Sequence, residues 1–341
     1  MRREAPHLLD QTYPDLLSRF PGESYRARQV CTWVFKRRAD AFEDMSDLPQ
    51  DVRTDLEGRF SLFKLTPFDI ERSRVDRTVK IIWKTAEGLS FASVILPREN
   101  YQSICVSTQV GCKWGCRFCA SGTVPFKRNL SSGEILDQVL QSEKLLGQKV
   151  RNVLFMGMGE PLANAAETVK AAGWMTAPEG LGIRPSRIVL STTGIAPAIR
   201  RIAEEGLKVN LALSLHAAND ELRKTIMPRS ARFPIPEVLE ACKFYQARSG
   251  AELTIEYILL GGVNDGLEHA EELIRVLKSA RFARMPKVNL IPYNPVNGLP
   301  YREPSRKSAG RFFEFLAGKK WNVHTRRPQG QDLQAACGQL A

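Results

Sequence analysis

Three cysteines lie close together in this 341-residue chain, in the stretch Gly111-Cys112-Lys113-Trp114-Gly115-Cys116-Arg117-Phe118-Cys119. Their spacing is C-x-x-x-C-x-x-C, and thiolates are soft ligands that suit iron–sulfur clusters or zinc. A four-iron cluster has four ligand positions, so three cysteines leave one iron open to chelate the amino and carboxylate groups of S-adenosylmethionine (SAM). The alternatives are a zinc site completed by a distant Cys or His, and three cysteines that are simply buried.

Strands and helices are predicted to alternate from about residue 101 onward, which is typical of parallel strands with right-handed helical crossovers. About six such units predict an α/β fold with a partial (β/α)6 barrel, whose functional groups gather at the carboxyl ends of the strands. The predicted strands are 152–156, 187–192, 208–215, 253–259, 287–291 and 321–325, and the predicted helices are 132–146, 165–174, 196–205, 219–226, 235–248, 267–280 and 304–317.

Two further segments precede this core. Residues 1–60 look helical, because apolar residues recur at helical spacing within 25–35. Residues 61–100 are richer in strand signals, with β-prone runs at 79–83 and 91–96. We therefore predict three parts, which are a small N-terminal helical accessory domain over 1–60, a short β extension over 61–100, and a core over 101–341 with a cysteine-containing tail.

Composition and charge limit the class of protein. No apolar run approaches the length of a membrane span, and the N-terminus lacks the apolar stretch of a signal peptide, so we expect a cytoplasmic protein with no membrane partner. The seven cysteines are an odd number without a secretory signal, which argues against a disulfide scaffold. The formal net charge is +12, while the first 60 residues hold 10 basic and 11 acidic side chains. The basic excess after residue 60 is either a solvated surface or a surface for a polyanion such as nucleic acid.

Polar residues follow several predicted strands. The run Phe155-Met156-Gly157-Met158-Gly159-Glu160-Pro161 comes after one of them, where glycines allow a ligand to approach the backbone and Glu160 can accept a hydrogen bond from an ammonium group. Taken singly, each such residue is equally a helix cap or a turn residue, and a histidine there is equally structural. Their recurrence at four strand ends favours a ligand-binding rim. Its further members are Ser191, Ser214, His216 and Asn294.

Two cysteines stand apart from the triplet. Cys105 lies seven residues before it on a predicted strand, and Cys337 lies near the C-terminus among small residues that leave its sulfur accessible. The alternative for either is a buried small apolar residue, which is the commoner fate of a free cysteine. Cys31 and Cys242 fall within helical patterns, and we assign them that buried role.

The cysteine triplet, with its aromatic residue before the last cysteine, resembles the radical SAM superfamily. Over nearly the whole chain, the combined features resemble the radical rRNA methyltransferases of the RlmN/Cfr family. The segments that carry this resemblance are 25–35 with 45–49, Cys105–Cys112, Gly157–Pro161, Ser214–Ala217, Asn289–Pro295 and Ala335–Leu340.

The resemblance implies a [4Fe-4S] cluster on Cys112, Cys116 and Cys119, and SAM contacts from Gly159, Glu160, Ser191, Ser214, His216 and Asn294. It implies two SAM molecules per turnover, the first of which methylates the Cys337 sulfur. The second gives a deoxyadenosyl radical that abstracts hydrogen from this methyl group, and the resulting thiomethylene radical adds to an adenine ring carbon. Radical chemistry suits this target because an amidine carbon is electrophilic and resists polar methyl transfer.

Further implications concern the end of the reaction and the partners. Cys105 would resolve the protein–RNA adduct and leave a Cys105–Cys337 disulfide that needs reduction. The partners would be large-subunit rRNA, tRNA for some members, and an electron-donor protein such as flavodoxin or ferredoxin. Members of the family methylate either C2 or C8 of adenine, and we favour C2 because it is the commoner housekeeping activity and the N-terminal segment looks complete.

One position departs from the family pattern. The family carries a glutamate, assigned as a proton acceptor, in the strand before Cys105, and this chain has Ala92 there. Glu99 lies nearby but beyond Pro97, and solvent or a cysteine thiolate are the other substitutes. This departure keeps open a radical SAM enzyme with a different substrate. The remaining alternative is a non-catalytic RNA-binding or zinc protein.

Overall fold

The computed structural model of the chain describes residues 5–341, so the first four residues of the predicted N-terminal domain lie outside the described residues. Twelve strands lie in that described part: β1 (Thr66–Arg72), β2 (Val79–Lys84), β3 (Ser90–Pro97), β4 (Gln102–Cys105), β5 (Gln109–Val110), β6 (Arg128–Asn129), β7 (Val150–Phe155), β8 (Ile188–Thr192), β9 (Asn210–Ser214), β10 (Leu253–Leu259), β11 (Lys287–Pro292) and β12 (Val323–Thr325). The α-helices of the same part are α1 (Tyr13–Ser18), α2 (Ser24–Thr32), α3 (Gln50–Arg59), α4 (Ser132–Leu146), α5 (Ala165–Thr176), α6 (Ala196–Glu204), α7 (Asp220–Ile226), α8 (Ile235–Ser249), α9 (Leu267–Ser279) and α10 (Arg306–Gly318).

Ten strands form one sheet in the order β1-β2-β3-β4-β7-β8-β9-β10-β11-β12. The run from β4 through β7 to β12 is parallel, whereas β1, β2 and β3 form an antiparallel meander attached to β4. Each parallel strand from β4 to β11 is followed by helix before the next one, so the chain contains six β/α units and a closing strand. Within the described residues no ladder joins β12 to the other edge, and the predicted partial (β/α)6 architecture is confirmed.

The predicted strands and helices of the core are confirmed, with boundaries that differ by at most a few residues. The strands were predictable because each is a short apolar run, and in β10 nearly every side chain on both faces is buried. β1 was not predicted, because it is an edge strand whose side chains are half-buried or exposed and show no clean alternation. A register shift between Pro67 and Asp69 interrupts its pairing with β2.

The N-terminal segment packs on the outer helices of the barrel. His7 is fully buried, and its Nε2 lies 2.8 Å from Asp137 Oδ1 on α4. The other carboxylate oxygen of Asp137 accepts hydrogen bonds from the main-chain N–H groups of Lys64 and Leu65. Gly133 makes room for this contact, because a Cβ there would lie 2.3 Å from the His7 ring. The helical content of residues 5–60 fits the predicted accessory domain, whose boundaries remain a prediction.

The hydrophobic core is continuous between the two parts. Leu16 and Phe35 of the N-terminal segment belong to the same buried cluster as Ile135 of α4 and Trp174 of α5. Phe35 packs against Trp174 with ring centroids 5.2 Å apart. None of the helices in the described residues is long and apolar enough to cross a membrane.

Candidate active site

The cysteine triplet lies in the loop between β5 and β6, at the carboxyl-terminal side of the parallel strands. Gly111 starts this loop with φ +72°, and a Cβ there would lie 2.2 Å from the carbonyl oxygen of Pro125, so only glycine allows the two loop arms to approach. Cys112, Cys116 and Cys119 are partly exposed and line one cavity, which we call the site cavity. Its other lining residues come from the ends of β7, β8, β9, β10 and β11 and from the C-terminal tail.

The chemistry of this donor set fits an iron–sulfur cluster. Burial raises the pKa of the Cys112 thiol to about 11 and that of the Cys116 thiol well above its ordinary value, so these sulfurs need a positively charged centre to become thiolates. No group of three Cys, His, Asp or Glu side chains in residues 5–341 is placed to hold a single metal ion. A cluster with a separate iron for each thiolate suits three ligands spread around a cavity.

Gly159 and Glu160 lie in the loop after β7. Gly159 has φ +100°, and a Cβ there would lie 2.6 Å from the Cβ of Gln109, so glycine permits this loop to press against β5. The Glu160 carboxylate is buried and accepts hydrogen bonds from the main-chain N–H groups of Thr193, at 2.7 Å, and Leu162, at 3.0 Å. Burial raises the pKa of Glu160, opposed by the Thr193 bond. Its remaining lone pairs are available to a ligand in the site cavity.

Ser191 and Ser214 meet at the carboxyl ends of neighbouring strands. Ser191 lies in β8 and Ser214 ends β9, and their hydroxyl oxygens are 3.4 Å apart. Both side chains line the site cavity and are half-buried. Two hydroxyls at this separation provide donors and acceptors for the polar groups of a ribose or an amino acid.

His216 follows β9 and is held as a neutral ring. Its Nδ1 accepts a hydrogen bond from the main-chain N–H of Ile258 at 3.0 Å, so the proton lies on Nε2. Burial lowers the pKa of His216 to about 3. The ring packs edge-on against Phe118, with centroids 5.0 Å apart, and the residue adopts φ +59°, which is uncommon outside glycine. His216 therefore has a hydrogen-bond partner for Nδ1 within the protein, and its ring also forms part of the wall of the site cavity.

The C-terminal tail folds over the cavity and brings Cys337 to it. The carbonyl oxygen of Gly338 accepts a hydrogen bond from the N–H of Ala120, next to the last cysteine of the triplet. The Ser121 hydroxyl donates to the carbonyl oxygen of Leu340 at 2.5 Å, which ties the tail to the same loop. As a result the half-buried Cys337 lines the site cavity together with the three predicted cluster ligands.

Cys105 and Asn294 lie in a second, small cavity that adjoins the first. This space, which we call the sulfur cavity, has a volume of about 40 Å³ and is lined by both Cys105 and Cys337. Both residues are free thiols, and burial raises the pKa of Cys105 to about 12. Asn294 lines the sulfur cavity but not the site cavity. Nine of the eleven predicted site residues, Cys337 among them, therefore line the site cavity. The other two, Cys105 and Asn294, line the adjoining sulfur cavity.

Sequence reasoning missed two charged residues, Arg326 and Glu256. Arg326 follows β12 and lines both the site cavity and the sulfur cavity, and its Nη1 approaches the Met156 sulfur at 3.4 Å. Glu256 lies in the middle of β10, is buried, and accepts a hydrogen bond from Asn289 Nδ2 at 2.8 Å. The Cys337 sulfur and the Glu256 carboxylate raise the pKa of Arg326, so a half-buried cation lies beside the sulfurs. No sequence pattern marks either residue, since each lies within or just after an ordinary strand.

The structure also locates the departure at position 92. Ala92 is buried in β3, two residues before Val94, which pairs with Cys105 and lines the sulfur cavity. Side chains two apart in a strand share a face, so Ala92 lies on the face that borders the sulfurs. Glu99 is exposed beyond the opposite end of β3. It is therefore poorly placed to replace a carboxylate at position 92.

Comparisons with known proteins agree with this geometry. Residues 106–277 match the model of the radical SAM superfamily, and residues 8–62 match that of the ribosomal RNA large subunit methyltransferase N-terminal domain. The chain is 44% identical to a probable dual-specificity RNA methyltransferase RlmN from Rhodopirellula baltica. The alignment covers 97% of this chain and 88% of that protein. It is 42% identical to a probable dual-specificity RNA methyltransferase RlmN from Thermus thermophilus, in an alignment that covers 99% of this chain and 94% of that protein.

A solved structure extends the likeness to the fold. A radical SAM methyltransferase from Sphaerobacter thermophilus superposes with a TM-score of 0.91 and 37% sequence identity, covering 98% of this chain and 99% of the other. The similarity therefore spans nearly the whole chain, the N-terminal helices and the barrel included. On these grounds the chain belongs to the RlmN family of radical SAM RNA methyltransferases.

Proposed function

We propose that this enzyme methylates a ring carbon of adenine in RNA, with C2 as the favoured position and with large-subunit rRNA and tRNA as substrates. The observation that carries the proposal is the shared wall of two cavities. Cys112, Cys116 and Cys119 line the site cavity with Cys337, and Cys337 lines the sulfur cavity with Cys105. This arrangement supplies a radical-generating centre, a carrier sulfur and a second sulfur in sequence along one path.

The residues of the site cavity would hold the cofactors. The three cysteines of the triplet would ligate a [4Fe-4S] cluster, and SAM would lie against the polar strand ends, one molecule for each half of a two-SAM turnover. When bound, this pair supplies a carbon-centred radical at the mouth of the barrel. The buried carboxylate of Glu160 would accept a hydrogen bond from the SAM amino group, and the hydroxyls of Ser191 and Ser214 would orient its polar groups. His216 would donate from Nε2 while remaining neutral.

The two remaining cysteines would carry the methyl group and release the product. The Cys337 sulfur would take up a methyl group by displacement, forming a C–S bond as the donor's sulfonium C–S bond breaks. This methyl group would then give up one hydrogen atom to the carbon-centred radical, and its carbon would bond to the adenine ring carbon. The ring would become aromatic again by losing the hydrogen of that carbon as a proton and one electron, which would return to the cluster. In the release step the Cys105 thiolate attacks the Cys337 sulfur. An S–S bond forms as the S–C bond to the RNA breaks, and the released carbon keeps the electron pair and takes a proton to become a methyl group. A dithiol, or two thiols, from outside the chain then reduces the disulfide to two cysteine thiols and is itself oxidised to a disulfide.

An acidic electron-donor protein, such as flavodoxin or ferredoxin, would reduce the cluster. Three exposed basic residues, Lys113, Arg117 and Arg229, surround the outer side of the cysteine loop, and Arg229 donates a hydrogen bond to the carbonyl oxygen of Lys113. Opposite charges on the two surfaces speed the encounter of transient partners.

A second candidate function rests on Ala92. The missing carboxylate favours an enzyme that keeps the radical machinery but acts at C8 of adenine or on a different substrate. Mass spectrometry of nucleosides distinguishes these possibilities. We expect 2-methyladenosine in the rRNA of cells that express the enzyme and its absence in cells that express Cys337→Ala. Finding 8-methyladenosine, or no methylated adenosine despite an intact cluster, would contradict the proposed reaction.

Two further measurements follow the carrier sulfurs. The tryptic peptide that contains Cys337 should carry an S-methyl group in protein purified with its cluster, and an unmodified peptide would count strongly against the mechanism. Cys105→Ala should accumulate a covalent RNA–protein adduct, because release needs the second thiol. The double variant Cys105→Ala/Cys337→Ala is the matched control and should form none. If Cys105→Ala turns over without an adduct, Cys105 has no role in release.

A further inference from the structure

A large cavity opens at the end of the barrel opposite to the triplet. It has a volume of about 830 Å³ and is lined by residues near the amino-terminal ends of five parallel strands. These are Ser103, Asn152, Val189, Thr254 and Lys287. We call this space the lower funnel. Pockets of this size accommodate a nucleotide-sized ligand.

The lower funnel is strongly basic. It is lined by Arg98, Arg187, Arg326 and Arg327, none of which lies within 4.0 Å of a carboxylate oxygen in residues 5–341. Lys287 is the exception among the basic lining residues, since it pairs with Glu252 at 2.8 Å. Unpaired cations gathered around one concavity attract a polyanion, because low-dielectric walls concentrate their field. These arginines come from the β3–β4 turn, the start of β8 and the segment after β12, so they surround the opening rather than form one small anion pocket.

The lower funnel leads to the two carrier sulfurs. Leu96, Arg326 and Arg327 line both the funnel and the sulfur cavity. Met156 and Glu256, together with Arg326, line both the funnel and the site cavity. The cluster ligands and the polar strand ends occupy the other side of the site cavity, so the funnel is the side left for a third, bulky reactant.

The chain itself leaves this side open. The sheet ends at β12, and the tail that follows it, rather than another strand, separates the sulfur cavity from the funnel. The sulfur cavity is too small at about 40 Å³ to hold a purine. A base that reaches Cys105 and Cys337 would therefore displace the tail residues beyond Arg327 that line this cavity, which are Pro328, Gln329, Ala335 and Ala336. Residues 330–333 of this tail are hydrogen-bonded to Ser73, Arg74, Asp76, Lys80 and Asn294, but the tail forms no strand ladder. A segment without a ladder opens at a lower free-energy cost than a paired strand does.

We propose that the lower funnel is the entrance for RNA, in which Arg98, Arg187 and Arg327 hold the phosphates that flank the target adenosine. This inference rests on the proposed function. A looped-out or single-stranded segment fits the geometry, because its bases can be splayed out of a helix and inserted singly. Tyr101 lines the same funnel and offers a ring for a neighbouring base to stack on.

Charge reversal tests the proposal directly. We would measure fluorescence anisotropy of a labelled hairpin RNA with one adenosine in its loop, titrated with cluster-loaded protein over a series of salt concentrations. Arg98→Glu, Arg187→Glu and Arg327→Glu should each weaken binding by roughly tenfold and lower the slope of log affinity against log salt by about 0.7 to 1. Arg311→Glu on α10 is the matched control, because Arg311 is exposed on the outer surface and undergoes the same change of charge. It should bind within about twofold of wild type.

The possible results of this binding experiment distinguish failure of the proposed RNA entrance from failure of the proposed RNA substrate. If the wild-type protein binds the RNA and the funnel variants match Arg311→Glu in affinity and slope, RNA enters elsewhere and the proposal is wrong. Wild-type protein that binds no RNA, or binds it independently of salt, would overturn the RNA substrate and the entrance together. A second readout uses 4-thiouridine placed beside the adenosine, which should crosslink to the peptide that contains Tyr101. Crosslinks confined to the cysteine loop would contradict the proposal even if affinity changes.

Discussion

Asn294 donates a hydrogen bond from its side-chain amide to the main-chain carbonyl oxygen of Cys337 over 3.0 Å. The carbonyl oxygen of the same amide accepts a hydrogen bond from Gln331 Nε2, also at 3.0 Å. Asn294, two residues beyond the end of β11, therefore holds the C-terminal tail at two residues, Gln331 and Cys337. The sequence predicts Asn294 as a SAM contact, and the structure shows in addition that its side chain holds the main chain at Cys337, the proposed carrier of the methyl group.

Asn294→Ala should loosen the tail. A hydrogen bond of this kind contributes about 0.5–1.5 kcal/mol to stability. Its loss should therefore raise the fraction of molecules whose C-terminal tail is detached from the cavity by roughly two- to tenfold. Hydrogen exchange of residues 331–341, followed by mass spectrometry, measures this opening. Asn322→Ala is the control, because the exposed Asn322 side chain has its hydrogen-bond contact with His324 two residues away, and its main-chain bond to Val288 survives the substitution. Unchanged exchange in Asn294→Ala would show that other contacts hold the tail.

Cys112→Ala should abolish the iron–sulfur chromophore. Anaerobically reconstituted wild-type protein should be brown and absorb near ~400 nm, as thiolate-ligated iron clusters do. Removal of one of three ligands leaves two thiolates, which is too few to retain the cluster. Cys31→Ala removes a buried cysteine far from the site cavity and should keep the colour and the iron content. A colourless protein that binds zinc in its wild-type form would overturn the cluster assignment and with it the radical chemistry.

The outline of the fold was predictable because it depends on local patterns. Apolar runs such as 253–259 are buried on both faces, and the strand ends they define place Ser191 and Ser214 next to each other. The presence of Arg326 and Glu256 in the site cavity was not predictable, because strands far apart in sequence bring these two residues together inside the barrel. The same holds for the bond between Asn294 and Cys337, which depends on the path of a tail without regular structure. The roles of the predicted site residues remain predictions.

The contact between His7 and Asp137 should make stability depend on pH. Burial lowers the pKa of His7, but the charge and hydrogen bond of Asp137 raise it more, so its pKa in the folded protein lies above 6.5. A raised pKa means that the folded state binds this proton more tightly. The resulting stabilisation is complete below about pH 6.5 and is lost as the pH rises through the folded-state pKa.

Chemical denaturation at several pH values measures this effect. The free energy of unfolding of wild type should fall as the pH rises above 6.5, and His7→Gln should flatten this fall and lower stability by about 1–3 kcal/mol through lost buried hydrogen bonds. His324→Gln, at an exposed position, should leave the pH dependence unchanged. Equal slopes in His7→Gln and wild type would show that His7 is neutral throughout.

Ala92→Glu tests whether a carboxylate at this position serves the release step. The residue is buried on the face of β3 that borders the sulfurs, and its carbonyl oxygen accepts a hydrogen bond from the Ser107 hydroxyl at 2.5 Å. A glutamate there would lie on the same face of β3 as Val94, which lines the sulfur cavity where the release step is proposed to take place. If proton removal limits release, decay of the RNA–protein adduct should accelerate by roughly 10²-fold or more, which is the usual contribution of a general base. Burial of the charge should lower the free energy of unfolding by about 1–3 kcal/mol.

Ala92→Gln is the matched control. Its side chain has nearly the same shape as that of Ala92→Glu without the charge, so it should show a similar loss of stability and no faster decay of the adduct. If both variants change the decay rate equally, the side chain at position 92 affects packing alone, and the enzyme must dispose of its proton by another route.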